Sequence, residues 1–81
     1  MSTEKKFLRP RDFLELNLGR YIIVRLKGNK YVRGQLESFD IHLNLTLSSA
    51  QEISLNPNIQ PKDLGKIIVR GDNVTFLVFP P

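Results

Sequence analysis

Tyr21-Ile-Ile-Val-Arg-Leu-Lys-Gly-Asn-Lys-Tyr-Val-Arg-Gly-Gln-Leu-Glu-Ser-Phe39 is the stretch on which the fold turns. Its opening run, Tyr21 to Leu26, is rich in β-branched residues, which suit the pleated surface of a strand. Gly28-Asn29 then supplies a two-residue hairpin signal. In the strand that follows, Val32, Gly34 and Leu36 fall on one face, with Tyr31, Arg33, Gln35 and Glu37 on the other. Gly34 sits mid-strand and inward, removing a side chain where the sheet bends sharply or another backbone comes close.

Working outward, Pro10 suits the first position of a helix, where a missing N–H costs nothing. Phe13, Leu14, Leu16 and Leu18 give partly helical spacing, and Asp12 and Glu15 stand early, where the helix dipole favours acids. Gly19 is placed to end this short helix as a left-handed cap. Downstream, Leu43, Leu45 and Leu47 alternate with Asn44, Thr46 and Ser48 as a third strand with one wet face. A polar stretch with two prolines, from about Gln51 to Gly65, separates it from Lys66-Ile-Ile-Val-Arg70. Val74-Thr-Phe-Leu-Val-Phe79 is the last strand, ended by Pro80-Pro81. Residues 1–8 read as a flexible N-terminal arm, and residues 9–81 as a single domain. The fold class expected is mostly β: a short helix, then a strongly bent five-stranded antiparallel sheet forming a small open barrel. The last two strands are apolar, with little of the charge or mid-strand proline that blunts an edge. They are expected to pair with a neighbouring copy and so build a closed ring by head-to-tail strand addition.

Composition narrows the function. Eighty-one residues allow one small domain. The absence of cysteine excludes disulfides and thiolate metal sites. No apolar run approaches the roughly 18 residues needed to span a bilayer, and no secretory signal opens the chain, so a soluble, cytoplasmic protein is expected. A net charge of +4 and a pI near 9.8 lean toward an anionic partner. With one histidine, no paired carboxylates, no triad context, no phosphate-cradling glycine loop and no metal-ligand spacing, neither catalysis nor a metal or cofactor is expected.

Two polar blocks interrupt the strands: Asp40-Ile41-His42-Leu43-Asn44 and Arg70-Gly71-Asp72-Asn73. Together they offer an imidazole, a carboxamide and a flat cation, the equipment for gripping a planar polar ring such as a nucleobase. The plainer readings stand beside this one. A lone histidine next to a strand is usually a surface polar residue, and Arg-Gly-Asp-Asn is an ordinary hairpin turn. Arg25, Lys27, Lys30 and Arg33 read as a solvated face around the first hairpin.

With these residues in place, the chain resembles the Sm-like (Sm/Lsm) proteins, and is most similar to the archaeal members. One family motif is resembled by Val24-Arg-Leu-Lys-Gly28 through Gly34, Leu36, Asp40 and His42-Leu-Asn-Leu45, and the other by Ile68-Val-Arg-Gly-Asp72. The arginine-glycine block speaks against the bacterial Hfq branch, whose corresponding motif centres on a lysine-histidine pair. Leu43 stands where the family often has methionine, an apolar, volume-conserving change. The resemblance implies a ring of six or seven subunits, seven favoured, that binds single-stranded, uridine-rich RNA at its pore rim in RNA processing. RNA-processing proteins are then candidate partners.

Carried over by position, His42 stacks on one face of the base and Arg70 covers the other. Asn44 donates to a carbonyl and accepts from an N–H, which suits the Watson–Crick edge of uracil. Asp72 is expected to orient Arg70 or Asn44 rather than touch RNA, since a carboxylate near phosphate is repulsive. Asp40, Gly71 and Asn73 support the two turns, Asp40 by accepting backbone N–H groups. Arg9 and Arg11 near the helix start could make a second, weaker RNA contact. Two other classes compete: a structural ring that recruits protein partners, and a small basic barrel that binds nucleic acid without sequence preference.

Overall fold

The computed structural model describes residues 9–80; the arm expected over residues 1–8 lies outside the described residues, as does Pro81. Pro10 opens α1 (Pro10–Leu16). Asp12 Oδ2 accepts the Arg9 backbone N–H at 2.8 Å, which satisfies a donor at the positive end of the helix. Leu14 is fully buried, and the Phe13 ring stacks on Phe79 at 6.1 Å, so the helix lies over one end of the sheet. The cap expected at Gly19 falls elsewhere. The helix ends at Leu16 with Asn17 as its C-cap, because the Asn17 amide donates to the Phe13 carbonyl at 2.8 Å. Gly19, with φ +84°, instead turns the chain, and its N–H donates to the Leu36 carbonyl at 2.7 Å.

Five strands follow: β1 (Tyr21–Leu26), β2 (Lys30–Phe39), β3 (Leu45–Ile53), β4 (Lys62–Val69) and β5 (Val74–Val78). A short 3-10 turn, Gly71–Asn73, joins the last two. β1 and β2 pair antiparallel from Leu26 opposite Lys30, so three residues rather than two make the connection. Gly28 and Asn29 both have positive φ there. The inward face of β2 is Val32, Gly34 and Leu36, all buried, in keeping with the period-two pattern. A Cβ on Gly34 would stand 3.0 Å from Leu47 Cβ and 3.3 Å from Ala50 Cα, so the missing side chain is what lets β3 cross so closely.

The polar stretch from Gln51 to Gly65 is mostly strand at its two ends rather than loop throughout. β3 runs on to Ile53 and β4 begins at Lys62, with Gln51 opposite Asp63 and joined to it by a 2.9 Å hydrogen bond. These segments are polar because their side chains face outward, a case in which composition misleads. The third strand starts at Leu45, not Leu43, for a reason that lies in the turn before it.

Strand order is β4-β3-β2-β1-β5, which leaves β4 and β5 as the two edges. Yet Val69 of β4 belongs to the core of Leu14, Ile22, Val24, Leu36, Leu45 and Leu47, and Val74 and Leu77 of β5 pack against the same cluster. Opposite edges sharing one core means that the sheet curls into an open barrel. Ile68 on β4 is 72% exposed, and Phe76 and Val78 on β5 are each 45% exposed. Among the described residues neither edge has a strand partner on its outer side, and each exposes apolar side chains there.

Candidate functional site

Asp40 organises the turn between β2 and β3. Its Oδ1 accepts the backbone N–H groups of His42 at 2.9 Å and Asn44 at 3.0 Å. Its Oδ2 accepts the Asn44 side-chain N–H at 3.0 Å. A short carboxylate closing the backbone two residues on is ordinary Asx chemistry. The Leu43 N–H donates to the Asp40 carbonyl at 3.0 Å, and Leu43 is driven to φ +62°. That left-handed residue removes Leu43 from the strand, although its alternation with Leu45 and Leu47 placed it there. The Asn44 amide, with the Asn44 and His42 N–H groups, holds the Asp40 carboxyl below the usual aspartate range.

The turn between β4 and β5 is built on Arg70. Its carbonyl accepts the Asn73 N–H at 3.0 Å, while the Asn73 carbonyl accepts the Lys27 N–H at 2.9 Å and so ties this turn to the first hairpin. Arg70 Nη2 lies 3.3 Å from Asp72 Oδ2, and both side chains are largely exposed. Such a pair is worth about 0–1 kcal/mol, so its consequence is direction rather than stability.

The two turns meet at Asn44 and Gly71. Asn44 Oδ1 accepts the Gly71 N–H at 2.8 Å across 27 residues of chain. A Cβ on Gly71 would lie 2.2 Å from the His42 carbonyl oxygen and 2.9 Å from that of Leu43. The backbones are therefore in direct contact, and only glycine fits. Asn44 acts as a pin, its amide nitrogen on Asp40 and its oxygen on Gly71. A primary amide has two N–H donors and two lone pairs, so one of each remains for a ligand. His42, Asn44, Arg70, Gly71 and Asp72 together line one open cleft of about 500 Å³.

Arg9 and Arg11 lie outside that cleft. Arg9 is held by Asp12 through Nε and Nη2, each at 3.3 Å. Arg11 borders a smaller hollow of about 160 Å³ with Phe39, Asp40, Ile41 and Leu43. Ile41, at the tip of the same turn, is 83% exposed. Among the described residues no His, Asp or Glu cluster is placed to hold a metal, and no helix is long and apolar enough to cross a membrane.

A family model described as the LSM domain matches residues 12–79. An snRNP Sm-like protein of Archaeoglobus fulgidus is 45% identical over 69 residues, covering 85% of this chain and 87% of that one. A protein of the same name from Methanosarcina barkeri is 41% identical, covering 85% and 93%. Among solved structures, the P. aerophilum SmAP1 heptamer superposes with a TM-score of 0.82 at 34% identity, covering 94% of this chain and 99% of that one. The Sm protein of Pyrococcus abyssii, solved in complex with a uridine heptamer, gives a TM-score of 0.80 at 37% identity, covering 90% and 100%.

Proposed function

The chain belongs to the LSM domain, or Sm-like, family, and from that membership we propose that it forms a homomeric ring, seven subunits favoured, that binds single-stranded, uridine-rich RNA at the pore rim in RNA processing. Ring closure is supported by the two apolar edges: β4 of one copy can add to β5 of the next, and head-to-tail addition closes when the rotation allows. The solved heptamers and the uridine complex among its relatives support the same assembly and ligand. No catalytic role is part of this reading.

The observation that carries the RNA assignment is the pinned cleft. His42 supplies a flat ring to one face of a uracil and Arg70 a flat cation to the other, each base–side-chain stack being worth about 1–3 kcal/mol. The spare N–H and lone pair of Asn44 match the carbonyl and N3–H of uracil, whereas cytosine presents an acceptor at N3 and an amine in place of one carbonyl. Asp72 orients Arg70, and Asp40, Gly71 and Asn73 fix the backbone that holds them. Arg11, beside the same turn, adds a second and weaker contact with the RNA backbone. Arg9, already engaged by Asp12, adds charge to it.

Fluorescence anisotropy with U- and C-decamers at matched salt tests the assignment. Tighter binding of the U-decamer, weakened in Arg70→Ala, is the expected result. Equal affinity for the two decamers, falling steeply and equally with salt, overturns the pocket in favour of a non-specific basic barrel.

A further inference from the structure

The exposed strand face around the first hairpin also carries a stacked pair. Tyr21 and Arg33 project from the outward face of β1 and β2, and the Arg33 guanidinium lies 5.0 Å from the Tyr21 ring centroid. Arg33 stands opposite Gln51, and Gln51 opposite Asp63. By strand spacing this row places Arg33 and Asp63 about 10 Å apart. Between them opens a cleft of about 440 Å³ lined also by Ser49, Ala50 and Gly65. It exists because β3 bulges there: register shifts flank Ala50, Ser49 takes φ +48°, and Gly65 opposite Ala50 has no side chain to fill the space.

The chemistry of this cleft differs from that of the pore-side turns. Asp63 gives Oδ1 to the Gln51 amide at 2.9 Å, and its Oδ2 has no partner among the described residues. A carboxylate accepts and does not donate. It matches a base edge that presents adjacent N–H donors and disfavours uracil, whose single N–H lies between two carbonyls. On the other wall Arg33 presents a donor fork, the usual partner of guanine O6 and N7. Guanine alone among the four bases combines N1–H and amine donors with that O6/N7 acceptor pair.

We propose that this outer-face cleft is a second RNA-base subsite that takes guanine, held by Asp63 and Arg33 and distinct from the cleft at Asn44 and Gly71. A ring so equipped reads uridine at its pore and guanosine on its outer sheet face. The site does not depend on the uridine assignment.

Amide chemical-shift mapping on the assembled protein, titrated separately with GMP, AMP, CMP and UMP, tests it. GMP is expected to move the signals of Arg33, Ser49, Gln51, Asp63 and Gly65, with the other three nucleotides moving them little. Asp63→Asn keeps an oxygen for Gln51 yet replaces an acceptor by a donor. It should weaken GMP binding by about tenfold or more and leave UMP shifts near His42 and Arg70 unchanged. Inosine monophosphate, lacking the amine, should bind more weakly than GMP to the native protein and show a smaller loss in the variant. Shifts of equal size with all four nucleotides would mean that charge alone attracts them, and no GMP shift in this row would mean that the Tyr21–Arg33 stack is purely structural; either result overturns the proposal. Absent UMP shifts at the pore-side turns would count against the uridine assignment instead.

Discussion

Gly71→Ala puts the smallest possible load on the contact between the two turns. The added methyl would sit 2.2 Å from the His42 carbonyl oxygen, 2.9 Å from the Leu43 oxygen and 3.0 Å from the Leu43 carbonyl carbon. All three are backbone atoms, so no rotamer change relieves the overlap. Restoring an ordinary separation of roughly 3.5 Å parts the turns by about 1 Å. The 2.8 Å bond from the Gly71 N–H to Asn44 then stretches beyond hydrogen-bonding range. Leaving that half-buried N–H unsatisfied costs about 1–3 kcal/mol, and the residual crowding adds about 1–3 kcal/mol. With the two together costing about 2–6 kcal/mol, a domain of this size should lose on the order of 10 °C or more in thermal midpoint, compared at matched protein concentration because assembly contributes. Binding of a U-decamer, followed by anisotropy, should fall by about tenfold or more, since tenfold corresponds to only about 1.4 kcal/mol and Arg70 moves relative to His42. Gly65→Ala is the control: that position has φ +75° but nothing within 4 Å of an added Cβ, so it carries backbone strain without the clash. A Gly71→Ala protein that melts and binds like the native one would refute the pinned-turn account.

If Arg70 stacks on the base as proposed, Arg70→Ala should weaken U-decamer binding by about 1–3 kcal/mol with the ring intact by native mass spectrometry; collapse to monomers would make Arg70 structural. Asn44→Asp keeps the acceptor for Gly71 but sets a second carboxylate where the amide nitrogen now lies 3.0 Å from Asp40 Oδ2. Two such groups cannot both ionise cheaply, so midpoint and binding should drop at neutral pH and recover in part on mild acidification; a pH-independent loss would contradict this. Asp40 has its folded pKa lowered by Asn44 and His42, so its contribution is complete above the unfolded aspartate value and is lost as pH falls through the lowered folded value. The difference in thermal midpoint between native protein and Asp40→Asn should therefore stay constant from neutral pH down to about 4 and shrink below it; a gap that grows on acidification would reverse the sign.

β-branched content was sufficient for β1, and period two for β2 and the inward Gly34, because Val32, Gly34 and Leu36 are buried while Tyr31, Arg33, Gln35 and Glu37 between them are not. The same test misassigned Leu43, whose spacing from Leu45 and Leu47 is strand-like while its backbone is left-handed. The deciding signal was Asp40, a residue able to close the chain on itself two positions on. β4 was half hidden because Lys62 and Asp63 are exposed on an outer face and read as loop. His42, Asn44, Arg70, Gly71 and Asp72 could be nominated as two blocks from their chemistry. Their meeting could not be read locally, since the Asn44–Gly71 bond joins positions 27 apart and depends on the curl of the sheet. Nor could alternation show that the exposed Arg33 also lies against the Tyr21 ring.

In the proposed complex a uracil lies between these two turns. Photo-crosslinking a 4-thiouridine-substituted U-decamer to the assembled protein and mapping the modified peptides tests it directly. Crosslinks are expected within residues 40–44 and 70–73, competed by unlabelled oligo(U) and not by oligo(C). Crosslinks confined to other surfaces, such as the outward face of β1 and β2, would contradict it.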